Sequence, residues 1–253
     1  MFKYRKLELS VYIIIITLSV LFSVLLLAFG YKAWFLFAVA AYLIPCAYLL
    51  VKIFIYNSLF STIERYIKNG EYDELDHYAE KKRKKFDFVK VYQINSYLEK
   101  GDIEKYISGY NAFSEKRRLL KRWQFRLEAH KVFYDLLSGG EVSVRNATRL
   151  ESDIDAEEVE QERSVCKTLD YFFKGDYERA EKQLGWLTKE SESKFVRFVT
   201  LYVRYMTKAV FGEGEELKEK LSAEAYNDFL KRSIDYLERR VTEICERSKK
   251  EDI

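Results

Sequence analysis

Tyr171-Phe172-Phe173-Lys174-Gly175-Asp176-Tyr177 carries the pattern that organises this chain: an apolar residue, three others, a glycine, an acidic residue and a second apolar residue. The order apolar-x-x-x-Gly-acidic recurs at Tyr66…Gly70-Glu71, Tyr97…Gly101-Asp102, Leu136…Gly140-Glu141 and Val210…Gly214-Glu215. The five glycines stand 31, 39, 35 and 39 residues apart. In the first four copies the residue after the acid is again apolar: Tyr72, Ile103, Val142 and Tyr177. A helix ends readily at a glycine, which reaches positive φ without a Cβ clash. A carboxylate directly after it is favoured in the first turn of the next helix by the helix dipole. Apolar flanks then hold the two helices together, so the pattern predicts a helix-turn-helix hairpin used repeatedly.

Outward from these turns, no proline occurs after Asn57, and apolar residues recur at helical spacing in stretches of about 10 to 25 residues. The fold expected is all-α, with about five hairpins stacked into an α-solenoid over residues 57–222. Residues 223–253 differ. Tyr226, Phe229, Leu230, Ser233, Ile234, Leu237, Val241, Ile244 and Cys245 form one stripe, while Lys231, Arg232, Asp235, Glu238, Arg239, Glu243 and Glu246 cover the other face. A solenoid needs a terminal helix with a polar outside, so this is expected to be a capping helix followed by a charged tail. The stripe is short for the alternative, a homotypic coiled coil.

Lys174-Gly175-Asp176-Tyr177-Glu178-Arg179-Ala180 resembles the turn and second-helix opening of the tetratricopeptide family, and Leu184 and Leu187 fall where that family has apolar second-helix positions. Tyr66, Tyr97 and Tyr171 match the aromatic that ends its first helix. The resemblance extends over about residues 57–222 in degenerate form. The small second-helix residue is replaced by Leu75, Tyr106 and Arg145 in the first three copies, and the closing proline is absent. The resemblance implies that first helices line a concave groove. Its candidate positions are Asn95, His130, Tyr134, Arg204 and Lys208, a set of amide, aromatic and cationic groups suited to an extended peptide or acidic tail.

The beginning of the chain is of another kind. Leu9 to Phe29 runs for 21 residues without a charge and Ala33 to Val51 for 19, each enough to cross a bilayer core as a helix. Only Gly30, Tyr31 and Lys32 separate them, which predicts an antiparallel transmembrane hairpin over residues 1–56. The first run is too long for a signal-peptide core and is followed at once by a second. The net charge of +3 divides accordingly into +4 over residues 1–56 and −1 over the rest. Lys3, Arg5 and Lys6 precede the first run, Lys32 alone lies between the runs, and Lys52, Arg65 and Lys68 follow, so both termini are expected in the cytoplasm of a plasma (inner) membrane. No Asp, Glu, Arg or His falls within either run, which favours an anchor over a transporter.

Chemistry-bearing patterns are not found. Cys46, Cys166 and Cys245 are far apart, and His77 and His130 belong to no metal-ligand spacing, so no metal is expected. No phosphate-binding glycine loop or nucleophile elbow occurs, and neither a catalytic residue nor a cofactor is assigned. Two basic clusters remain. Lys81, Lys82, Arg83, Lys84 and Lys85 suit either anionic lipid headgroups or the carboxyl end of their own helix. Lys116, Arg117, Arg118, Lys121, Arg122 and Arg126 are matched in charge by Glu151, Asp153, Asp155, Glu157, Glu158, Glu160 and Glu162, so pairing within the chain is expected ahead of a protein partner, and nucleic acid is not expected. Together these features point to a non-enzymatic, membrane-anchored scaffold or adaptor for a cytoplasmic protein. The alternatives are an accessory subunit of a larger membrane complex (secretion, transport or envelope assembly) and, last, an enzyme with an unrecognised helical site.

Overall fold

The computed structural model describes residues 17, 20–22, 24, 25, 27–30, 32–82, 86–114, 121–151, 159–185 and 193–251. Among these the regular elements are all helical. They are α1 (Lys32–Asn69), α2 (Tyr72–Lys82), α3 (Asp87–Lys100), α4 (Ile103–Ser114), α5 (Lys121–Leu137), α6 (Arg145–Glu151), α7 (Glu160–Phe173), α8 (Tyr177–Gly185), α9 (Lys194–Val210), α10 (Glu215–Glu224) and α11 (Asp228–Glu251). Backbone proximity divides the chain into two units, Met1–Glu64 with Asp155–Glu157, and Arg65–Ile154 with Glu158–Ile253.

The described part of the first unit is dominated by α1, which continues through Pro45 without interruption. Cys46–Asn69, 24 residues, is long and apolar enough to cross a membrane, and only 17% of its apolar window is buried. That low burial separates it from the core helix of a soluble protein. Tyr48, Leu50, Val51 and Phe54 are exposed, Phe54 at 74%. Among the described residues it is one such helix, not two. The expected second run, Ala33–Val51, lies within α1, and the first, Leu9–Phe29, falls largely outside the described residues.

In the second unit consecutive helices pair: α2 with α3, α3 with α4, α5 with α6, α7 with α8 and α9 with α10. Alternate helices also meet, α3 with α5, α5 with α7, and α7 with α9. Ile94, Leu98, Phe125, Phe133, Phe195, Phe198 and Tyr202 are fully buried along this line.

One turn geometry closes five helices. The amide of a positive-φ glycine bonds back three residues and the next amide five, as in Gly101 to Leu98 and Asp102 to Tyr97, or Gly175 to Phe172 and Asp176 to Tyr171. The other three are centred on Gly70, Gly139 and Gly212. This corrects the register read from the repeat. In the third copy Gly139, at φ +75°, carries the left-handed conformation and Gly140 only follows it, donating to Asp135 O. In the fifth copy Gly212 closes the helix and Gly214 precedes the next one. In two copies the acidic residue is also displaced by one position, whereas Glu215 lies in the first turn of α10 as expected. Asp102 and Asp176 stand before the first turn rather than in it, and their carboxylates accept from the amides of Lys105 (3.3 Å) and Arg179 (3.2 Å) as N-caps.

The C-terminal helix, expected as a cap, packs on α9 and α10 and also on α5, and the residues before it reach the end of α3. Its buried face comprises Phe229, Leu230, Ser233 and Leu237. The Tyr202 hydroxyl donates to Ser233 O at 3.2 Å, and Arg240 Nη2 donates to Gly140 O at 2.8 Å.

Candidate functional site

The line of first helices holds an unusual amount of buried polar surface. On α3, Gln93, Asn95, Ser96 and Glu99 are all buried, and on α5 His130 is buried. Asn95 and Glu99 are one turn apart and so share a face of α3. His130 brings α5 to that face, with its Nε2 3.6 Å from Glu99 Oε1 and its ring stacked at 18° on Phe195 of α9. Nδ1 of His130 donates to Arg126 O at 3.0 Å, since a carbonyl oxygen only accepts.

From the other side, the Tyr226 hydroxyl and Asn227 Nδ2 both donate to the backbone oxygen of Glu99, at 2.9 and 3.0 Å. Asn227 uses its Oδ1 to cap α11 at Leu230 N (2.9 Å), so one side chain ties two helix ends. The Tyr72 and Tyr226 hydroxyls crowd the Glu99 carboxylate without closing a well-formed bond to Oε2. Burial first, and the Glu99 charge second, push both phenols well above the usual tyrosine range, so they stay protonated. Glu99 Oε2, His130 Nε2 and both amide atoms of Asn95 are buried without a hydrogen-bond partner. Each such group costs about 1–3 kcal/mol if left unmade.

A second polar cluster flanks this one. Asp76 accepts from the Tyr97 hydroxyl at 2.7 Å and from Gln93, and Lys100 pairs with Asp73. Burial alone would raise the Asp76 carboxyl, but the bonds from Tyr97 and Gln93 outweigh it and hold the group below its usual range. With Tyr72, Ser96, Asp102 and Lys105 these residues line a shallow cleft with room for about one water molecule.

The other residues singled out from sequence are distributed as follows. Tyr134 stacks on Phe229 of α11 (6.3 Å, 15°) and meets Tyr106 at 5.6 Å. Arg204 and Lys208 are half-buried on α9. Lys208 is occupied by Glu181 (2.6 Å) and Glu213 (2.9 Å), whose hydrogen bonds hold its ammonium above the usual lysine range. Glu99 therefore links the helix of Asn95 to His130, whereas Lys208 turns to carboxylates of its own chain. Lys81 and Lys82 are exposed at the end of α2, and Arg83, Lys84 and Lys85 lie outside the described residues. So do Lys116, Arg117 and Arg118, while Lys121 is exposed and Arg122 lies over the Trp123 ring at 4.7 Å.

Of the expected pairing between basic and acidic segments, the pair Arg126 and Glu162 is seen among the described residues. Arg126 Nε and Nη2 both reach Glu162 Oε1 at 3.1 Å, with side chains only 12% and 7% exposed. Arg126 also donates to the Tyr92 hydroxyl and lies over that ring at 5.0 Å, joining α3, α5 and α7. Sequence reasoning missed Glu99, Tyr72, Tyr226 and Asn227. Asn227, directly before the last amphipathic stripe, is the one whose type and position carry a signal that could have found it, that of a helix cap.

Compared with family models, with curated proteins and with solved structures, the chain matches none.

Proposed function

We propose that the chain is a membrane-anchored scaffold whose helical hairpins, stacked as a solenoid, present a protein-binding surface to the cytoplasm. The observation that carries this reading is the exposed apolar segment Cys46–Asn69 on a helix followed directly by the series of paired helices. An exposed apolar surface of that length is stable only when something other than water covers it, and a bilayer core of about 30 Å fits a helix of this length. The second span of the anchor and the inward orientation of both termini rest on the uncharged run Leu9–Phe29 and on the basic residues at Lys3, Arg5, Lys6, Arg65 and Lys68. Stacked hairpins suit a binding role because they offer a long, repetitive surface with side chains at regular intervals.

Alkaline carbonate extraction of membranes, combined with protease protection of tags at each terminus, tests the anchor. Retention in the pellet with both tags digested only from the cytoplasmic side is expected, and release into the supernatant would overturn the reading. Crosslinking in native membranes then tests the binding role, with a reproducible cytoplasmic protein adduct as the expected result.

A further inference from the structure

The row of first helices curls on itself. Phe195 of α9 meets both His130 and Phe133 of α5, at ring separations of 5.8 and 6.4 Å, although α7 stands between these helices in the row. α11 packs on α5 and α9 together. Its Phe229 ring stacks on Tyr134 of α5, and one turn further on Ser233 O accepts from the Tyr202 hydroxyl of α9. Leu230, Ser233 and Leu237 are fully buried there, whereas Lys231, Arg232, Asp235, Glu238 and Arg239 are exposed. We propose that α11 is a removable occupant of a helix-binding furrow between α5 and α9, and that the furrow, once vacated, takes an amphipathic helix of the protein partner. This rests on the binding role just proposed and names the kind of partner it serves.

The hairpins α3–α4, α5–α6, α7–α8 and α9–α10 each pair without α11. It follows α10 through Ala225, Tyr226 and Asn227, which belong to no helix, so it can swing away with no hairpin opened. At its start the closure is incomplete: Tyr226 and Asn227 donate to the Glu99 backbone oxygen, while Glu99 Oε2 and the Asn95 amide stay without hydrogen-bond partners. The pattern the furrow accepts is that of the helix now seated: an aromatic residue, a leucine beside it, a small residue one turn on and a leucine two turns on. Ser233 turns its hydroxyl onto Leu230 O and leaves its own backbone oxygen to Tyr202. Tyr202 thus calls for an acceptor in the middle of an apolar seat, which a helix backbone presents and an acyl chain does not.

The test uses the full chain purified in detergent and a fluorescein-labelled peptide of residues 224–243, read by anisotropy, with the same peptide carrying Leu230→Asp and Leu237→Asp as control. Placed in the chain itself, Leu230→Asp with Leu237→Asp unseats α11. It is expected to raise affinity for the unaltered peptide by about tenfold or more, because the furrow is then open in a larger fraction of molecules. The control peptide should gain nothing. No gain, or an equal gain with the control peptide, would overturn the proposal. So would loss of hydrogen-exchange protection in α7 and α8 both in this variant and in the milder Phe229→Ala, since α11 would then be a member of the core and not an occupant. Where only the double variant loses protection, Phe229→Ala carries the peptide comparison with the same outcomes. A dimer of the unsubstituted chain that the peptide dissociates would assign the furrow to α11 of a second copy and overturn the proposal as well. A partner recovered by crosslinking in native membranes, in a yield that unseating α11 leaves unchanged, would keep the scaffold reading standing and sink only this one.

Discussion

Arg126→Met is expected to be among the most destabilising single changes in the second unit. The guanidinium makes two contacts of 3.1 Å to one oxygen of Glu162, and both side chains are almost wholly withdrawn from water. Removing Arg126 leaves the Glu162 carboxylate buried without its cation, a situation that costs about 3–5 kcal/mol. Glu162→Gln removes the charge but keeps an amide oxygen to accept from Arg126, and should cost somewhat less. In a domain of this size each kcal/mol lowers the midpoint of thermal unfolding by about 2–4 °C, so Arg126→Met should lower it by about 6–20 °C. The assay is urea or thermal unfolding of the full chain in detergent, followed by circular dichroism, for the two single variants and for the double variant Arg126→Met with Glu162→Gln. Because the double variant leaves no unpaired charge, it should recover much of the loss, giving a coupling of several kcal/mol. A cost under about 1 kcal/mol for Arg126→Met, or strictly additive costs in the double variant, would refute the view that this pair clamps α3, α5 and α7 together.

The turn register gives a paired comparison. Gly139→Ala forces a Cβ into the left-handed region and to 3.1 Å from the Tyr236 ring, and should cost at least about 1–2 kcal/mol, whereas Gly140→Ala meets only ordinary contacts and should be close to neutral in the same unfolding assay. Asp176→Ala removes the acceptor for Arg179 N and should cost about 0.5–2 kcal/mol, with Asp176→Asn close to wild type. Asp76 has a lowered carboxyl in the folded chain, so its contribution is fully present above the ordinary unfolded value near about 4 and disappears as pH falls through the lower folded value. Asp76→Asn should therefore reduce stability at neutral pH and flatten the acid limb of the stability curve, and an unchanged acid limb would count against the Tyr97 and Gln93 bonds holding it down.

Much of the local structure was legible before folding. Five helix ends could be placed within two residues from glycine and its neighbours, because the left-handed conformation is a property of single residues and glycine reaches it most readily. The two misplaced glycines, Gly140 for Gly139 and Gly214 for Gly212, arose where two glycines stand near each other and the one with an apolar residue four positions earlier, Leu136 or Val210, was chosen. The acids were chosen correctly at Asp102 and Asp176, but their work is capping by side-chain bonds to an amide three residues on, rather than interaction with the dipole from inside the first turn. The candidate site was legible only in fragments. Asn95, His130 and Tyr134 were singled out as groove residues, yet Glu99, which His130 approaches at 3.6 Å and to whose backbone oxygen Tyr226 and Asn227 donate, looked like any other of the chain's 40 acidic residues.

What this sequence determined by itself is what depends on neighbours along the chain: the helices, their turns, and the long uncharged apolar runs. Which helix lies on which was settled only in three dimensions. The Tyr226 hydroxyl meets the backbone of Glu99 across 127 positions of sequence, and Arg126 selects Glu162 from a whole acidic segment. The same holds for α11, whose apolar stripe fits a cap and does not by itself single out α5. A stripe states how much surface must leave water but not against what, and only the shape and hydrogen bonds of the surface it meets make that choice.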